Sequence, residues 1–378
     1  MRVTMVNKYY HPHIGGIENH MRALAGGLHD RGIDVRVLVA NEGRMGRVDT
    51  VDGIAVTRLP RRFAYASTPV APGMTHAIAS LASGDDASDI VHLHAPYPWG
   101  EWSWLRARPD IPTVLSYHSD IVRQRFLGAA YRPVLERILD RADLIVAGSP
   151  NMVEHSALLA PRADKCRVVT YGIDTDRFAD RPSVLDRAAE LRSIHERPIV
   201  LFVGRLVYYK GADILVRAME SVDADLVVLG TGPLEAELRE RAVATGTIDR
   251  ISFLPPQDDD ELAAWYHAAD ALCLPSVERS EAFGLVQIEA HAAGTPVVST
   301  DLPTGVPFAN KDGVTGLTVP VGEVAALAEA LCKLLGDDEL RARFGEQARD
   351  RARAEFTIPR MAEEMEAVYA EAIARRAS

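Results

Sequence analysis

A chain of 378 residues is too long for one average core and suits two domains, and its 47% hydrophobic and 25% charged residues are those of a folded globular protein. The net charge of −11 argues against nucleic acid as a partner, because a phosphate backbone needs a basic surface. Three dispersed cysteines without a Cys-x-x-Cys pair argue against a disulfide framework or structural zinc, and neither a signal-type h-region nor a run of 18 apolar residues occurs, so a cytoplasmic protein is expected.

In the first half, apolar runs at 3–6, 35–39, 90–93, 113–117, 144–147 and 167–169 predict strands, with helical periodicity at 17–30 and 131–140. The pattern restarts at Pro198. Strands are expected at 199–203, 226–229, 251–254, 271–274 and 296–299, and helices at 212–222, 235–242, 259–269 and 286–293. Strands buried on both faces and joined by crossover helices mean a parallel sheet in each half, an α/β chain of two doubly wound Rossmann-like domains. The charge-rich segment 171–197 reads as the linker, so domains are expected at 1–175 and 196–357. Beyond Val319 the chain reads as almost wholly helical. Ligands of such domains bind at the carboxyl ends of the strands, so a central cleft between the two is the expected site.

The informative residues follow strands. After the first run, Gly15-Gly16 opens a helix, where backbone N–H groups and the positive end of the helix suit an anion. Gly204-Arg205-Leu206-Val207-Tyr208-Tyr209-Lys210-Gly211 follows the strand at 199–203. A planar guanidinium fork and an ammonium five residues apart suit a diphosphate, and fixed cations stabilise the charge that grows as a diphosphate departs. The strand at 271–274 leads to Ser280-Glu281-Ala282-Phe283-Gly284-Leu285-Val286-Gln287-Ile288-Glu289, two carboxylates on either side of a helix start. A GxGxxG dinucleotide fingerprint is absent, since Glu235 stands where Gly230-Thr231-Gly232 would need its third glycine.

With Tyr117-His118 and Tyr171-Gly172-Ile173-Asp174, these motifs in this order resemble the retaining GT-B glycosyltransferases that include phosphatidylinositol mannosyltransferase, sucrose synthase and bacterial O-antigen mannosyltransferases. The resemblance implies a GT-B fold whose last helix, within 358–378, packs back on the N-terminal domain. It implies Arg205, Lys210, Glu281 and His118 as catalytic residues, with Glu281 and His118 meeting the transferred hexose. Gly15, Gly16, Gly204, Gly232, Phe283, Gly284, Leu285, Val286 and Glu289 would bind the nucleotide-sugar donor, Glu289 at the ribose. Tyr9, Trp99 and Arg123 are the acceptor-side candidates. The acceptor is expected to be a sugar, a glycan or a lipid-linked molecule, with peripheral membrane contact an open option. Ser280–Gly284 followed by Gln287 favours mannose from GDP-mannose, a UDP- or dTDP-sugar donor being the alternative. A sugar-nucleotide epimerase, a phosphorylase or a non-catalytic nucleotide-sugar-binding protein are the competing classes. No cofactor and no essential metal are expected. One departure is Tyr171, where that family often has asparagine.

Several constellations have plainer readings. His11 with His13, and His92 with His94, lack a third ligand at zinc spacing, and strand alternation puts His92 and His94 on one face, where hydrogen bonding is expected. Asp174-Thr175-Asp176 suits a turn better than a metal motif, and Asp258-Asp259-Asp260 a helix cap. Trp99, Trp102 and Trp104 suit either a sugar-stacking wall or the packing of a helix start, and Arg61-Arg62-Phe63 and Arg123 with Arg125 form basic spots.

Overall fold

Parallel strands rich in valine, isoleucine and leucine form the frame of both units in a computed structural model that describes residues 1–13, 15–65, 68–119 and 125–377, apart from the side chains of 125–130. Unit one comprises 1–172 with the segment from Ile358 onward, and unit two is the continuous segment 173–357. Each is a doubly wound α/β domain. Among the described residues no helix is long and apolar enough to cross a membrane.

Unit one carries β1 (Arg2–Asn7), β2 (Asp34–Ala40), β3 (Arg47–Val51), β4 (Ile54–Leu59), β5 (Phe63–Tyr65), β6 (Thr68–Val70), β7 (Ile90–Ala95), β8 (Thr113–Tyr117), β9 (Leu144–Ala147) and β10 (Cys166–Val168). Its main sheet runs β10-β9-β8-β7-β1-β2-β4-β3, parallel throughout except for the β3–β4 pair, while β5 and β6 pair with each other. The strand order reverses between β1 and β7, which makes the carboxyl ends of those strands a topological switch point. The helix Ile358–Ala377 buries Met361, Ala362, Met365, Val368, Tyr369 and Ala372 in this unit's core, against the helix Gly16–Asp30.

Unit two carries β11 (Ile199–Val203), β12 (Asp225–Leu229), β13 (Ile251–Leu254), β14 (Ala271–Leu274), β15 (Val297–Thr300) and β16 (Gly316–Val319), ordered β13-β12-β11-β14-β15-β16 and all parallel. The period of two along a strand splits the core cleanly. Val200, Phe202, Leu226 and Val228 face the helices Ala212–Ala218, Glu235–Ala244 and Val324–Leu335. Ile199, Leu201, Val227 and Leu229 face Pro182–Ser193, Asp259–Ala268 and Leu285–Ala293. The switch point here lies between β11 and β14.

The segment expected to be a linker folds instead. Residues 173–197 belong to unit two, and the helix Pro182–Ser193 buries Val184, Ala188 and Leu191, with Phe178 just before it. Its charges sit outward and pair across the surface: Arg187 with Glu261 at 2.8 Å, Arg181 with Asp260 at 2.6 Å, and Arg177 with Asp259. A charged outer face around an apolar stripe had the look of a spacer. The boundary therefore falls at 172/173 rather than at a gap between 175 and 196.

Packing of the two helices of unit one generates a test. A Cβ on Gly27 would lie 2.7 Å from Ile358 Cγ2 and 3.0 Å from Ala362 Cβ, whereas one on Gly26 meets nothing within 4 Å. Gly27→Leu is expected to destabilise by about 1–3 kcal/mol through overpacking, and Gly26→Ala to stabilise by roughly 0.5–1 kcal/mol through backbone entropy. Urea unfolding of both variants checks the opposite signs.

Candidate active site

In unit two the loops leaving β11 and β14 are drawn together at the switch point. Gly211 has φ +67°, and a Cβ there would lie 2.0 Å from the Pro275 carbonyl oxygen, so only glycine allows the approach. The Val277 N–H donates to the Tyr209 carbonyl at 2.8 Å and ties the loops across. On this frame Lys210, at the end of the turn Tyr208–Lys210, sets its Nζ 2.6 Å from Glu281 Oε2. The Ser276 hydroxyl donates to the same oxygen at 3.2 Å. Burial lowers the Lys210 pKa, but the facing Glu281, helped by Tyr209 and Glu289, outweighs it and holds the ammonium above its ordinary value.

Arg205 stands in the same loop, exposed, with no ion pair or hydrogen bond from its guanidinium among the described residues. The loop is braced from behind. Gly204 N–H donates to Leu229, Leu206 N–H to Thr231 at 3.0 Å, and Leu234 N–H to Leu206, which brings the Gly230-Thr231-Gly232 turn against it. Past Glu281, Gly284 takes φ +77° and caps the helix Leu285–Ala293, leaving the N–H groups of Leu285 and Val286 at its open end. Glu289 lies one turn in and half-buried; the Tyr266 hydroxyl donates to its Oε2 at 2.7 Å. Desolvation raises the Glu289 pKa against the pull of Tyr266, Arg177 and Lys210. The Phe283 ring packs inward, 5.9 Å from Phe356 and 6.3 Å from Phe308, which leaves its backbone as the part to meet a donor.

In unit one, Gly15 precedes the helix Gly16–Asp30 in an extended conformation, and the Glu18 carboxylate lies so close that a Cβ on Gly15 would stand 2.2 Å from Oε2. Lys8 Nζ is 3.9 Å from the other oxygen. The positive end of this helix thus already faces a carboxylate of its own first turn, as in a capping box. Around Gly16 there is open space for a close approach.

His118 follows β8 and is buried with both ring nitrogens engaged: Nε2 is 3.0 Å from His94 Nδ1, and Nδ1 is 3.0 Å from the Tyr171 hydroxyl. A hexose bond from this ring would have to replace one of these. Gly148 makes room for the Tyr171 ring, which would stand 2.3 Å from a Cβ there. The chain's departure to tyrosine thus supplies a partner for His118. His92 bonds the Tyr369 hydroxyl at 2.7 Å and Ser116 at 2.8 Å. Sequence reasoning missed His20, which sits edge-on to His118 and Tyr171; nothing in its helical spacing distinguishes it from a core residue. Ring nitrogens of His20, His94 and His118 all lie within 4.8 Å of one another, and His20 Nδ1 and His94 Nε2 lack a partner. The 3.0 Å contact between His94 and His118 is that of a hydrogen bond.

The remaining candidates are spread more widely. Tyr9 accepts a hydrogen bond from Arg61 at 2.9 Å, and its ring lies 4.5 Å from that of His13. Trp99 donates to the Ala71 carbonyl and stacks on Trp102 at 5.1 Å, while Trp104 is buried. Arg123 lies outside the described residues. Asp174 accepts from the Asp176 N–H in a turn, and Asp258 caps its helix by accepting from the Glu261 N–H.

Known proteins bear on this geometry. The profile described as Glycosyl transferases group 1 matches residues 186–351, and that of Glycosyltransferase Family 4 matches 14–177. An O-antigen chain mannosyltransferase of Escherichia coli is 35% identical over 362 residues, 96% of either chain. A D-rhamnosyltransferase of Pseudomonas aeruginosa is 35% identical over 358 residues, 94% of this chain and 92% of its own. The fold matches the sucrose-phosphate synthase of Thermosynechococcus elongatus with a TM-score of 0.81 at 24% identity over all of both chains.

The histidine cluster sets a pH dependence. Burial pushes His20 down to about 4 and His92, with His20 adding, down to about 3. Below the ordinary value of about 6.5 the unfolded chain binds protons that these folded rings refuse, so stability falls as pH drops from there towards 4. The His20 share is on the order of 3 kcal/mol by linkage. Urea midpoints between neutral pH and pH 4 are expected to fall, and His20→Gln to flatten the fall.

Proposed function

We propose that this chain, which belongs to the group 1 glycosyl transferases and has the GT-B fold, moves mannose from GDP-mannose to a sugar, glycan or lipid-linked acceptor with retention at the anomeric carbon and without an essential metal. The observation that carries the reading is the Lys210–Glu281 pair at the switch point of unit two, with the uncommitted Arg205 in the same loop. As the bond from C1 to the diphosphate breaks, negative charge grows on the leaving phosphate oxygen. Lys210, held protonated by its neighbours, and Arg205 stabilise that charge more in the transition state than before it. The helix start at Leu285–Val286 adds backbone donors.

The groups already committed support a retaining route through the departing phosphate rather than through an enzymic nucleophile. Glu281 Oε2 is tied to Lys210 and Ser276, which makes this carboxylate a poor nucleophile and leaves Oε1 for hexose hydroxyls. In the proposed step the acceptor hydroxyl joins C1 on the face the diphosphate leaves, and its proton passes to the departing phosphate oxygen. Glu289, oriented by Tyr266, is assigned to the ribose hydroxyls. Mannose is supported by the E. coli relative, and the P. aeruginosa relative supports D-rhamnose, the 6-deoxy counterpart, as the second reading.

A thermal-shift screen against GDP, UDP, ADP and dTDP sugars is expected to favour the GDP sugars, because ligands bound only by the native state raise its melting point. Arg205→Ala, Lys210→Ala and Glu281→Ala should each lower turnover by about 10²–10³-fold. Three near-parental rates would end the assignment. The anomeric coupling constant of the product by NMR should match that of the donor, and inversion would overturn the proposed step.

In this reading Arg205 and Lys210 supply the positive charge at the diphosphate, and no divalent ion is needed there. Initial rates are therefore expected to survive exhaustive chelation. Loss on chelation with rescue by magnesium or manganese would contradict the metal-free reading.

A further inference from the structure

Unit one carries an open cleft of about 580 Å3 that the donor chemistry does not use, lined by Arg44, Arg61, Arg62 and Phe63 among others. Its basic side chains leave the carboxyl ends of two neighbouring strands: Arg44 lies just beyond β2, and Arg61 and Arg62 just beyond β4. This is the sheet edge at which doubly wound domains bind ligands, and β1 reaches Gly15-Gly16 from the same edge. In a chain of net charge −11, three arginines around one cleft are a local reversal of sign.

Among the described residues no carboxylate forms an ion pair with them. Glu42 is bonded to His13 Nδ1 at 2.8 Å, and Asp49 to Arg58 at 3.1 Å and Arg47 at 3.2 Å. Arg61 is fixed by the Tyr9 hydroxyl and the Glu42 carbonyl. Arg44 and Arg62 are exposed, and among the described residues their guanidinium groups make no ion pair or hydrogen bond. One oriented fork and two uncommitted ones match the several oxygens of a phosphate or diphosphate, which lysines would meet only as point charges. Phe63, 54% exposed on β5, adds an apolar wall beside them.

We propose that this cleft binds a phosphate or diphosphate group carried by the acceptor. Its assignment to the acceptor rests on the transferase reading, whereas its capacity to bind the anion does not. The full chain is saturated with GDP and titrated with inorganic pyrophosphate by calorimetry, in the parent, in Arg44→Gln/Arg62→Gln and in Arg205→Gln/Lys210→Gln. Binding should persist in the last variant and weaken by about tenfold or more in the first, whose circular dichroism and melting point stay unchanged. If GDP does not bind, the donor reading fails, and the Arg44/Arg62-dependent part of the pyrophosphate heat still reports on the cleft alone.

A second arm sediments the protein with phosphatidylcholine vesicles, with and without phosphatidylglycerol. Pyrophosphate binding without sedimentation supports the site and identifies a soluble phosphate ester. Sedimentation that needs phosphatidylglycerol and is reversed by pyrophosphate supports it and identifies a lipid-borne phosphate. Pyrophosphate binding that is absent, or equal in the parent and Arg44→Gln/Arg62→Gln, overturns the proposal whatever the vesicles do.

Discussion

A buried ion pair organises unit two. Lys210 and Glu281 lie on different loops, and neither charge would be tolerable there without the other, because removing one partner strands an uncompensated charge at a cost of about 3–5 kcal/mol. The pair fixes the exits of β11 and β14 at the point where the sheet's strand order reverses. Gly211 permits the approach, Gly284 starts the next helix, and the loop after β12 backs Arg205. Function and fold are hard to separate here, since the contact that shapes the loops also keeps the ammonium charged.

Unit one solves the same topological problem with neutral groups. Towards its switch point His92 and His94 stand on β7, His118 follows β8, and the surrounding tyrosines close the network. Burial holds His94 and His118 well below the ordinary histidine range, so they orient one another as uncharged donors and acceptors. Among the described residues no carboxylate acts on these rings to balance an added proton. One switch point therefore presents fixed charge, the other oriented dipoles.

Strands buried on both faces were plain in the sequence because short, β-branched runs such as Ile199–Val203, bounded by Pro198 and Gly204, suit a strand better than a helix. The strands β3 and β4 were not. Arg58 occupies an inward position of β4, buried and bonded to Asp49 and the carbonyls of Tyr10 and His11, which breaks the apolar alternation. Asp52-Gly53, with φ of 50° and 80°, was the available clue to a hairpin there. Arg205, Lys210 and Glu281 stood out because each lies in a loop that follows a strand, whereas Glu289, inside a helix, stood out only through the resemblance. Their partners Ser276 and Tyr266 did not, since a hydroxyl shows its use only when the fold supplies its neighbour. The charged stretch before Pro198 misled for a related reason, as ion pairs across a surface are invisible in a linear reading.

The helix Ile358–Ala377 completes a core that begins at Val3. During synthesis, unit two is a single uninterrupted stretch and can close as soon as residue 357 has left the ribosome, although it follows most of unit one in the chain. The first 172 residues emerge with the surface destined for Met361, Met365 and Tyr369 uncovered, and it stays so until the last turns of helix follow. The nascent N-terminal half is the stage at which chaperones have most to shield, and a truncation that removes only this helix would injure the half of the protein made first.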